Sequence, residues 1–361
     1  IFLFYLLGRR LYGHGAGLIA AFLIATHGVV LFWEGEVNDP ALFVFLLPCL
    51  FWSVYLWGWR WQARWAFASG VIFGCYALMR PNILAFGPIV AAWMLWVAWR
   101  RGMWRRVPGA WAALAGATFL VIFPVTVRNY VVSGEFVPIA TYFGENLLIG
   151  NSEESDGITP WTPYLQELEG TGRWSARDYV NVVRGLGEEL GRPDITHSEA
   201  SSYFAAKALA FIRTHPWQTL RLTARKFVLL WSPKEITCNK VVEQERRFYP
   251  PLKFLPGFPI AAAVFFVGLG IFLADARRRR IPDAIGGVGP HATEMTLLLF
   301  TFVAVYLTSF LPFFVNGRAR VPLLPIYLFI GGYGIWRAAQ MAQARRAWAF
   351  AWAGVYVVTL T

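Results

Sequence analysis

Charged residues and cysteines are both scarce in this sequence. Of its 361 residues only 15% are charged, whereas 57% are hydrophobic, a balance that soluble domains rarely reach. The three cysteines, Cys49, Cys75 and Cys238, have no spacing that fits a disulfide framework or a zinc site. The sequence also lacks a P-loop, a Ser/His/Asp arrangement and any Asn-x-Ser/Thr acceptor. These absences leave a nucleotide-binding enzyme, a serine hydrolase and a glycosylated eukaryotic ectodomain without support.

What the sequence has instead is a series of long apolar runs. A hydrocarbon core of about 30 Å needs roughly 20 apolar residues in a helix, so we predict an all-α polytopic membrane protein with about 8–10 transmembrane helices. Half-spans are expected at each end, and because the first apolar run is too short to cross, we expect further sequence before Ile1. The predicted full spans are 15–33, 41–59, 66–79, 83–99, 109–127, 257–274, 295–315 and 321–336.

Arginines are distributed unevenly between the two sides of these spans. Positive charge marks the cytoplasmic side, and alternation of the spans puts most arginines of the short connections on one side. These are residues 9–10, 60, 64, 100–101, 105–106, 277–280, 337 and 345–346. Only Arg80, Arg318 and Arg320 lie in short turns on the opposite side. The net charge of +12 then reflects orientation in the membrane, and no nucleic-acid partner is expected.

The chain divides into three parts, an N-terminal membrane part (1–127), a long segment (128–256) and a C-terminal membrane part (257–361). Residues 128–256, the inter-span segment, are predicted to form a large mixed loop on the extracytoplasmic side. It is expected to begin with turns and short extended pieces, followed by loop and a short helix over 160–200. Residues 217–231 have the pattern of a basic amphipathic helix, which either lies in the headgroup plane or packs on its own ectodomain.

A short acidic turn lies at the same membrane level as the three exceptional arginines. The turn, "WEGEVNDPAL", contains Glu34, Glu36 and Asp39. Asp39 followed by Pro40 is typical of a helix N-cap with proline at the first helical position. A carboxylate at the membrane surface can also act as a general base or metal ligand. Asp39 and Glu36 are therefore the candidate catalytic residues, with the capping role of Asp39 as the structural alternative.

The exceptional arginines point to a phosphate ligand. A guanidinium is planar, always charged and able to bind two oxygens, which suits the phosphate of a lipid headgroup. Arginine near a helix end can also extend to the interface without further function, and this alternative applies to Arg80 in particular. For Arg318 and Arg320, which share one short turn, we favour phosphate binding.

Five stretches of the sequence carry a family resemblance. They are "LLGRRLYGHGAGLIAAFLIATHGVVLFWEGEVNDPALFVFLL", "ALMRPNILAFGP", "RNYVVSGEFVPIATYFGENLLIGN", "HPWQTLRLTARKFVLLWSPKE" and "NGRARVPLLPIYLFIGGYGI". In their order and topology they resemble the C-type (GT-C) superfamily of membrane glycosyltransferases, in the bacterial branch similar to family 39 and to the lipid A aminoarabinose transferase. The resemblance implies a GT-C-like bundle and an inverting transfer of a sugar from a polyprenyl-phosphate donor at the outer face.

The resemblance also implies roles for particular residues. Asp39 matches a second acidic residue of such enzymes, whereas their main catalytic aspartate would precede Ile1, so we expect this chain to lack it. Arg80, Arg318 and Arg320 match basic residues near the lipid phosphate. Arg128 and Asn151, the first and last residues of the stretch "RNYVVSGEFVPIATYFGENLLIGN", are further candidate substrate contacts. No metal ligand and no certain cofactor are assigned, although a divalent metal stays open because the family varies.

The expected partners are membrane lipid and a lipid-linked sugar donor, with an acceptor that the sequence leaves open among lipid A, protein and glycan. The expected location is the bacterial plasma (inner) membrane, with the inter-span segment in the periplasm. Two alternatives are an O-antigen ligase or polymerase and a lipid-linked-sugar flippase or transporter. The stretch "RNYVVSGEFVPIATYFGENLLIGN" argues against the O-antigen ligase or polymerase. The small number of charges at mid-membrane depth and the lack of a convincing internal repeat argue against the flippase or transporter.

Overall fold

The structure is a computed structural model, and it describes residues 1–36, 38–170, 179–234, 236, 242–278 and 291–343. Arg279, Arg280, Arg345 and Arg346 of the predicted cytoplasmic set lie outside the described residues, as does the half-span expected at the C-terminal end. The described part is helical and contains no strand.

The α-helices follow one another along the chain with short connections. In order they are α1 (Phe2–Tyr12), α2 (His14–Ala25), α3 (Gly28–Gly35), α4 (Asp39–Arg60), α5 (Ala63–Met79), α6 (Gly87–Arg100), α7 (Val107–Ser133), α8 (Phe143–Gly150), α9 (Pro163–Glu169), α10 (Tyr179–Glu189), α11 (His197–Thr214), α12 (Pro216–Leu230), α13 (Val242–Glu245), α14 (Pro250–Lys253), α15 (Phe258–Arg277), α16 (Ala292–Phe310) and α17 (Leu324–Gln343). Three 3₁₀ helices cover Pro81–Phe86, Trp104–Arg106 and Gly317–Leu323.

The all-α polytopic architecture is confirmed, with fewer clear spans than the apolar runs predicted. Among the described residues, five helices are long and apolar enough to cross a membrane, or six if the pair α2 and α3 forms one span. That pair bends by 57°, and the amide of Gly28 beyond the bend donates to the carbonyl of Pro256. The predicted span 66–79 is the shorter helix α5, and 321–336 combines a 3₁₀ turn with α17.

The centre of the membrane bundle is α17. All of its residues from Leu324 to Gly334 are buried, and it packs against α2 and α15. Contact with α15 is close because Gly268 lies against the backbone of α17, where an added Cβ would come within 2.3 Å of the Ile330 carbonyl oxygen. At the rim, α7 packs against α5 and leaves most of its surface exposed. Burial therefore differs strongly between helices, because α17 is enclosed by the bundle whereas α7 is largely exposed at its rim.

Within its described residues, the inter-span segment is largely helical and has no strand. Residues 134–142 are turns and irregular backbone, as the sequence predicts, and α8 follows them. Helices α8 to α11 enclose a second hydrophobic core that includes Leu147, Leu186 and Phe204. Phe313 and Phe314, which follow α16, pack against this core. The segment is therefore anchored to the membrane bundle at the end of α16.

The predicted amphipathic helix is confirmed as α12, which begins at Pro216. Its apolar face is exposed, including Trp217 at 77% and Val228 at 68%. The reading in which this face packs on the ectodomain is therefore wrong for the described part, since the opposite face, with Leu222 and Lys226, is the buried one. An exposed apolar stripe beside a membrane bundle fits a helix in the headgroup plane.

Both ends of the bundle gather charges from separate helices. At one end, Glu294 at the start of α16 pairs with Arg100 and Arg101 at the end of α6, with N–O distances of 3.2 and 2.6 Å. Arg100 and Arg101 belong to the set of arginines predicted to share one side of the membrane. At the opposite end, α4 begins, α5 and α16 end, and the inter-span segment begins. This second end carries the candidate site.

Candidate functional site

Asp39 is the first residue of α4 and not its cap. The cap is Asn38, whose side-chain oxygen accepts from the backbone amide of Asp39 at 2.9 Å. The predicted capping role of Asp39 is therefore wrong, because the residue before it already fills that position. A carboxylate in the first helical turn is favoured by the helix dipole, and here it is free to contact other elements.

The carboxylate of Asp39 is held by Arg80 at the end of α5. Arg80 donates from Nε at 3.1 Å and from Nη2 at 3.0 Å to the same oxygen, Oδ2. The rings of Phe43 and Phe310 lie 4.9 and 5.5 Å from the guanidinium carbon. These aromatic faces fix the plane of the guanidinium while its edge contacts Asp39.

Arg318 approaches Asp39 from the opposite side. The 3₁₀ helix Gly317–Leu323 begins behind Asn316, whose side chain accepts from the amide of Ala319 at 3.1 Å. Arg318 Nη1 lies 3.5 Å from Asp39 Oδ1 and 3.4 Å from the side-chain oxygen of Asn38. The Nε of Arg318 is buried without a hydrogen-bond partner, and so is Asp39 Oδ1. Within the described residues, the Nε and Nη2 edge of this guanidinium makes no hydrogen bond.

These three residues line one cavity of about 530 Å³ between the bundle and the inter-span segment. Pro138 and Ile139 contribute apolar contacts from the loop after α7. The other polar and aromatic lining residues are Asn82, Asn146, Asn316, Tyr142, Phe143, Phe310, Phe313 and Phe314. A larger cavity of about 770 Å³ lies between α9 and α10. It contains none of the three charged residues and borders Gly170, the last described residue before 171–178.

Arg320 lies away from this cavity although it is only two residues from Arg318. It is 3% exposed, donates to the carbonyls of Ser232 and Lys234, and lies 3.9 Å over the ring of Phe258. In a 3₁₀ helix, side chains two residues apart point in directions about 120° apart. The two arginines, which the sequence suggested would act as a pair, therefore contact different parts of the molecule.

The other predicted site residues also lie apart from the cavity. Glu36 is not among the lining residues. Arg128 is exposed in the last turns of α7, with a contact to Asn129 at 3.3 Å. Asn151 is buried and donates to the carbonyls of Leu147 and Pro312 at 2.9 and 2.6 Å. The structure thus brings together Asp39, Arg80 and Arg318, and the lining of this cavity does not include the other predicted site residues, Glu36, Arg128, Asn151 and Arg320.

Lys226 is a residue that the sequence analysis did not single out. It is fully buried on α12, and its ammonium donates to the carbonyls of Gly150 at 2.8 Å and Leu311 at 3.0 Å. Gly150 ends α8 and Leu311 follows the last residue of α16, so the lysine joins the two walls of the cavity. Desolvation by burial lowers the pKa of Lys226 to about 8.

Glu145 is a second buried ionisable group near the cavity. It lies on α8 between the lining residues Phe143 and Asn146, and its Oε2 has no hydrogen-bond partner. Desolvation by burial raises the pKa of Glu145 to about 8. Since an unpaired buried carboxylate is costly, this side chain is best accommodated in its protonated form. Neither Lys226 nor Glu145 stands in a sequence pattern that would have identified it.

The described residues offer little to a metal ion. No group of three or more His, Cys, Asp or Glu side chains in the described ranges is arranged to hold one. Among the described residues that line the cavity, Asp39 is the single carboxylate, and both of its oxygens face guanidinium groups. In this cavity, the guanidinium groups of Arg80 and Arg318 occupy the space around the carboxylate of Asp39 that a metal ion would need.

Comparison with known proteins gives one match. The model of the dolichyl-phosphate-mannose-protein mannosyltransferase family matches residues 1–127, a range that contains Asp39 and Arg80. Neither the search of curated proteins nor that of solved structures gave a match. The match covers the N-terminal part of the chain, and over these residues the chain is similar to that family.

Proposed function

We propose that this chain transfers a sugar from a polyprenyl-phosphate donor to an acceptor hydroxyl at the extracytoplasmic face, with inversion at the anomeric carbon. The observation that carries the proposal is the grouping of Arg80 and Arg318 around the carboxylate of Asp39 in one cavity, at the end of the bundle where α4 begins. A guanidinium can offer two parallel N–H donors, the geometry that matches two oxygens of one phosphate.

The charge of the cavity suits a lipid phosphate. Its lining contains Arg80 and Arg318 against the single carboxylate of Asp39, so one positive charge is left over. A phosphodiester between a sugar and a polyprenol carries one negative charge. The cavity lies where α5 and α16 end and α4 begins, which is the end of the spans where the phosphate of a lipid headgroup is expected. The excess of arginine at the other end of the spans supports the extracytoplasmic assignment of this end.

Asp39 is best assigned to the leaving-group side of the reaction. Inversion requires the acceptor oxygen to attack the sugar from the face opposite the departing phosphate, and the base must lie on that attacking face. Asp39 is in direct contact with both arginines that would hold the phosphate. The geometry therefore favours Asp39 as the residue that orients the arginines, in place of the general-base role that the sequence suggested.

In the proposed reaction, the acceptor oxygen forms a bond to the anomeric carbon while the bond from that carbon to the phosphate oxygen breaks. Negative charge then develops on the departing polyprenyl phosphate. Arg80 and Arg318 stabilise this charge with little reorganisation, because Asp39 and the rings of Phe43 and Phe310 hold Arg80, and Asp39 and Asn38 contact Arg318. The acceptor's proton passes to a base that is not among the described lining residues.

The experiment is a titration of the purified chain in nanodiscs with undecaprenyl phosphate, followed by thermal stabilisation and direct binding. We expect Arg318→Ala to weaken binding by roughly 10- to 100-fold, since a bidentate charge-assisted contact is worth about 1.5–3 kcal/mol. Arg318→Lys retains the charge but loses the two-donor edge, and an intermediate loss of roughly tenfold is expected.

Arg128→Ala is the matched control, because Arg128 is an exposed arginine at the same end of the bundle and outside the cavity. It is expected to bind undecaprenyl phosphate like the unaltered chain. Equal affinity in Arg318→Ala and in the unaltered chain would contradict the phosphate role of the cavity. A loss in Arg128→Ala alone would move the lipid site to the exposed end of α7.

A further inference from the structure

A second strongly charged surface lies at the arginine-rich end of the bundle, opposite the cavity. Arg60 ends α4 and Arg64 lies in the first turn of α5. Arg105 and Arg106 lie in the 3₁₀ helix that leads directly into α7. All four residues are exposed, and we call them the arginine rim.

Close packing of α5 on α7 brings the two halves of the rim together. An added Cβ on Gly70 would come within 2.3 Å of the Leu114 carbonyl oxygen. One turn further along both helices, an added Cβ on Gly74 would come within 3.0 Å of the Thr118 carbonyl oxygen. The two helices therefore run in parallel, and the same offset carried back to their first residues places the start of α5 beside the start of α7.

The loop between α4 and α5 is fixed to the other half of the rim. Arg106 donates from Nη1 to the carbonyl of Trp61 at 3.2 Å. The ring of Trp61 is buried and meets Trp57 edge to face, with centroids 5.2 Å apart. Its indole N–H has no hydrogen-bond partner within the described residues. The loop therefore has a defined position and keeps an unsatisfied donor beside the arginines.

Two arginines of the rim are stacked on tryptophan rings. The guanidinium carbon of Arg64 lies 5.3 Å from the ring centre of Trp65, and that of Arg105 lies 5.5 Å from the ring centre of Trp104. A guanidinium that rests on an aromatic face still presents its N–H edge to oxygen atoms. Because part of its freedom is already lost, it binds an anion at a smaller cost in entropy.

Helix dipoles add to the positive charge of the rim. The starts of α5 and α7 lie at this end, and neither is capped by a side-chain hydrogen bond. Uncapped amides and the helix dipole both favour an anion at a helix N-terminus. The sequence contains no Asp or Glu between residues 40 and 134, whereas at the end of α6 Glu294 balances Arg100 and Arg101. Positive charge is therefore concentrated at the rim.

A strip of small residues runs along α7 from the rim into the apolar part of the span. Gly109, Ala112 and Gly116 recur at helical spacing and are exposed, and the space beside both glycines is open. Phe119 and Phe123, with ring centroids 5.1 Å apart, follow at the far end of the strip. Small residues allow another chain to approach the helix backbone closely. A phosphate on the rim would thus have an apolar surface directly below it.

We propose that the arginine rim binds the phosphate of an anionic phospholipid, with an acyl chain along the strip of small residues on α7. The lipid belongs to the leaflet at the arginine-rich end, which the charge distribution assigns to the cytoplasmic side. A soluble phosphate ester has the same headgroup chemistry but nothing to place against the strip. The inference is independent of the proposed function, because the rim and the cavity lie at opposite ends of the spans.

The test is a titration of the purified chain in detergent with phosphatidylglycerol, followed by thermal unfolding and by native mass spectrometry of the retained lipid. We expect saturable stabilisation by phosphatidylglycerol. Phosphatidylcholine is expected to stabilise much less, because its choline group places a second positive charge beside the arginines. Glycerol 3-phosphate is the soluble probe, and it is expected neither to stabilise the chain nor to displace phosphatidylglycerol at equal concentration.

Variants locate the site. Arg64→Gln combined with Arg105→Gln is expected to weaken binding of phosphatidylglycerol by about 10- to 30-fold, since each basic residue near an anionic headgroup contributes on the order of fivefold. Lysine at both positions keeps the charge and loses the planar edge, so an intermediate loss is expected. Gly116→Leu fills the strip without a clash and is expected to weaken phosphatidylglycerol binding a few-fold. Arg9→Gln with Arg277→Gln removes two exposed arginines elsewhere at this end, and this matched control is expected to bind nearly as the unaltered chain does.

The outcomes are distinct. Equal stabilisation by phosphatidylcholine, or equal losses in the rim variant and the matched control, would overturn the site, because charge would then act without a defined position. Binding of glycerol 3-phosphate as tight as that of phosphatidylglycerol would assign the rim to a soluble phosphate and overturn the lipid assignment. Loss of phosphatidylglycerol binding in Arg318→Ala would place the lipid in the cavity. Undecaprenyl phosphate that binds independently of Arg318 would refute the proposed function and leave the result at the rim intact.

Discussion

Lys226 provides the sharpest prediction, because its burial and its bonds have opposite effects on stability. Replacement by methionine removes the two hydrogen bonds to Gly150 and Leu311 and also removes a buried charge. Both acceptors lie at helix C-termini, where carbonyls lack intrahelical partners and a cation is favoured. Each carbonyl left unsatisfied costs about 1–3 kcal/mol. The buried charge carries a cost of its own, which depends on pH.

The magnitude of that charge cost follows from the pKa. Burial lowers the pKa of Lys226 from 10.5 to about 8, and this difference corresponds to about 3 kcal/mol. Below pH 8 the lysine is protonated in both folded and unfolded chains, so the cost is constant. Between pH 8 and 10.5 the unfolded chain binds the proton and the folded chain does not. The stability of the folded chain therefore rises with pH in that window by up to about 3 kcal/mol.

The assay is thermal unfolding in detergent, followed by intrinsic tryptophan fluorescence at several pH values from 7 to 10. Near pH 7 we expect Lys226→Met to be close to the unaltered chain, since the lost bonds and the relieved charge are of similar size. At pH 10 we expect the variant to be less stable by several degrees, because the neutral amine still donates both hydrogen bonds and methionine donates none. Arg221→Met on the exposed face of α12 is the control. Parallel pH dependence of Lys226→Met and the unaltered chain would refute the argument.

Three further changes have expected outcomes. Glu145→Gln should remove a pH dependence of opposite sign, because burial raises the pKa of Glu145 from its ordinary value of 4.5 to about 8 in the folded chain. In thermal unfolding, the stability of the unaltered chain relative to the variant should therefore fall between pH 4.5 and 8, by on the order of 4–5 kcal/mol. A flat difference would mean that the carboxyl is hydrated. Arg320→Met should lower the thermal midpoint and leave the affinity for undecaprenyl phosphate intact, since Arg320 contacts Ser232, Lys234 and Phe258; unchanged stability with lost affinity would contradict this. Asp39→Asn should destabilise the bundle and weaken binding of undecaprenyl phosphate, because Arg80 and Arg318 lose the carboxylate that orients them; unchanged or tighter binding would contradict the orienting role of Asp39.

Sequence reasoning found the charged centre of the site because charge against the expected orientation is a visible signal. Asp39, Arg80 and Arg318 all lie at the end of the spans where charges are otherwise few, and the structure brings them together. Arg320 is also an arginine on the side of the membrane where few charges are expected, but it does not line the cavity. Arg320 donates to the carbonyl of Ser232 and lies over the ring of Phe258. The direction of a side chain in a 3₁₀ turn cannot be predicted from its position between two spans.

The neutral part of the site gave no such signal. Asn82, Asn146 and Asn316 come from three distant regions of the chain, and asparagine is common in turns and caps. Lys226 lies among arginines on a helix whose sequence directs attention to its apolar face. Helix α11 and the helical character of the inter-span segment were also missed, because local Gly and Asn content suggested turns. Packing of Phe204 and Leu186 into a second core supplies the stabilisation that local propensity does not.

The contrast between α17 and α7 determines how much each helix's sequence matters. The side chains in the first half of α17 are buried. By contrast, α7 belongs to the candidate span Trp104–Ser133, and only 17% of the apolar window of this span is buried inside the molecule. For α17, both size and shape are constrained at each position, so random replacement should be tolerated rarely. For α7, replacement of one apolar residue by another should be nearly silent. A library of random variants sorted for folded protein should therefore retain little sequence diversity along α17. Along the exposed surface of α7, it should retain almost any combination of apolar residues.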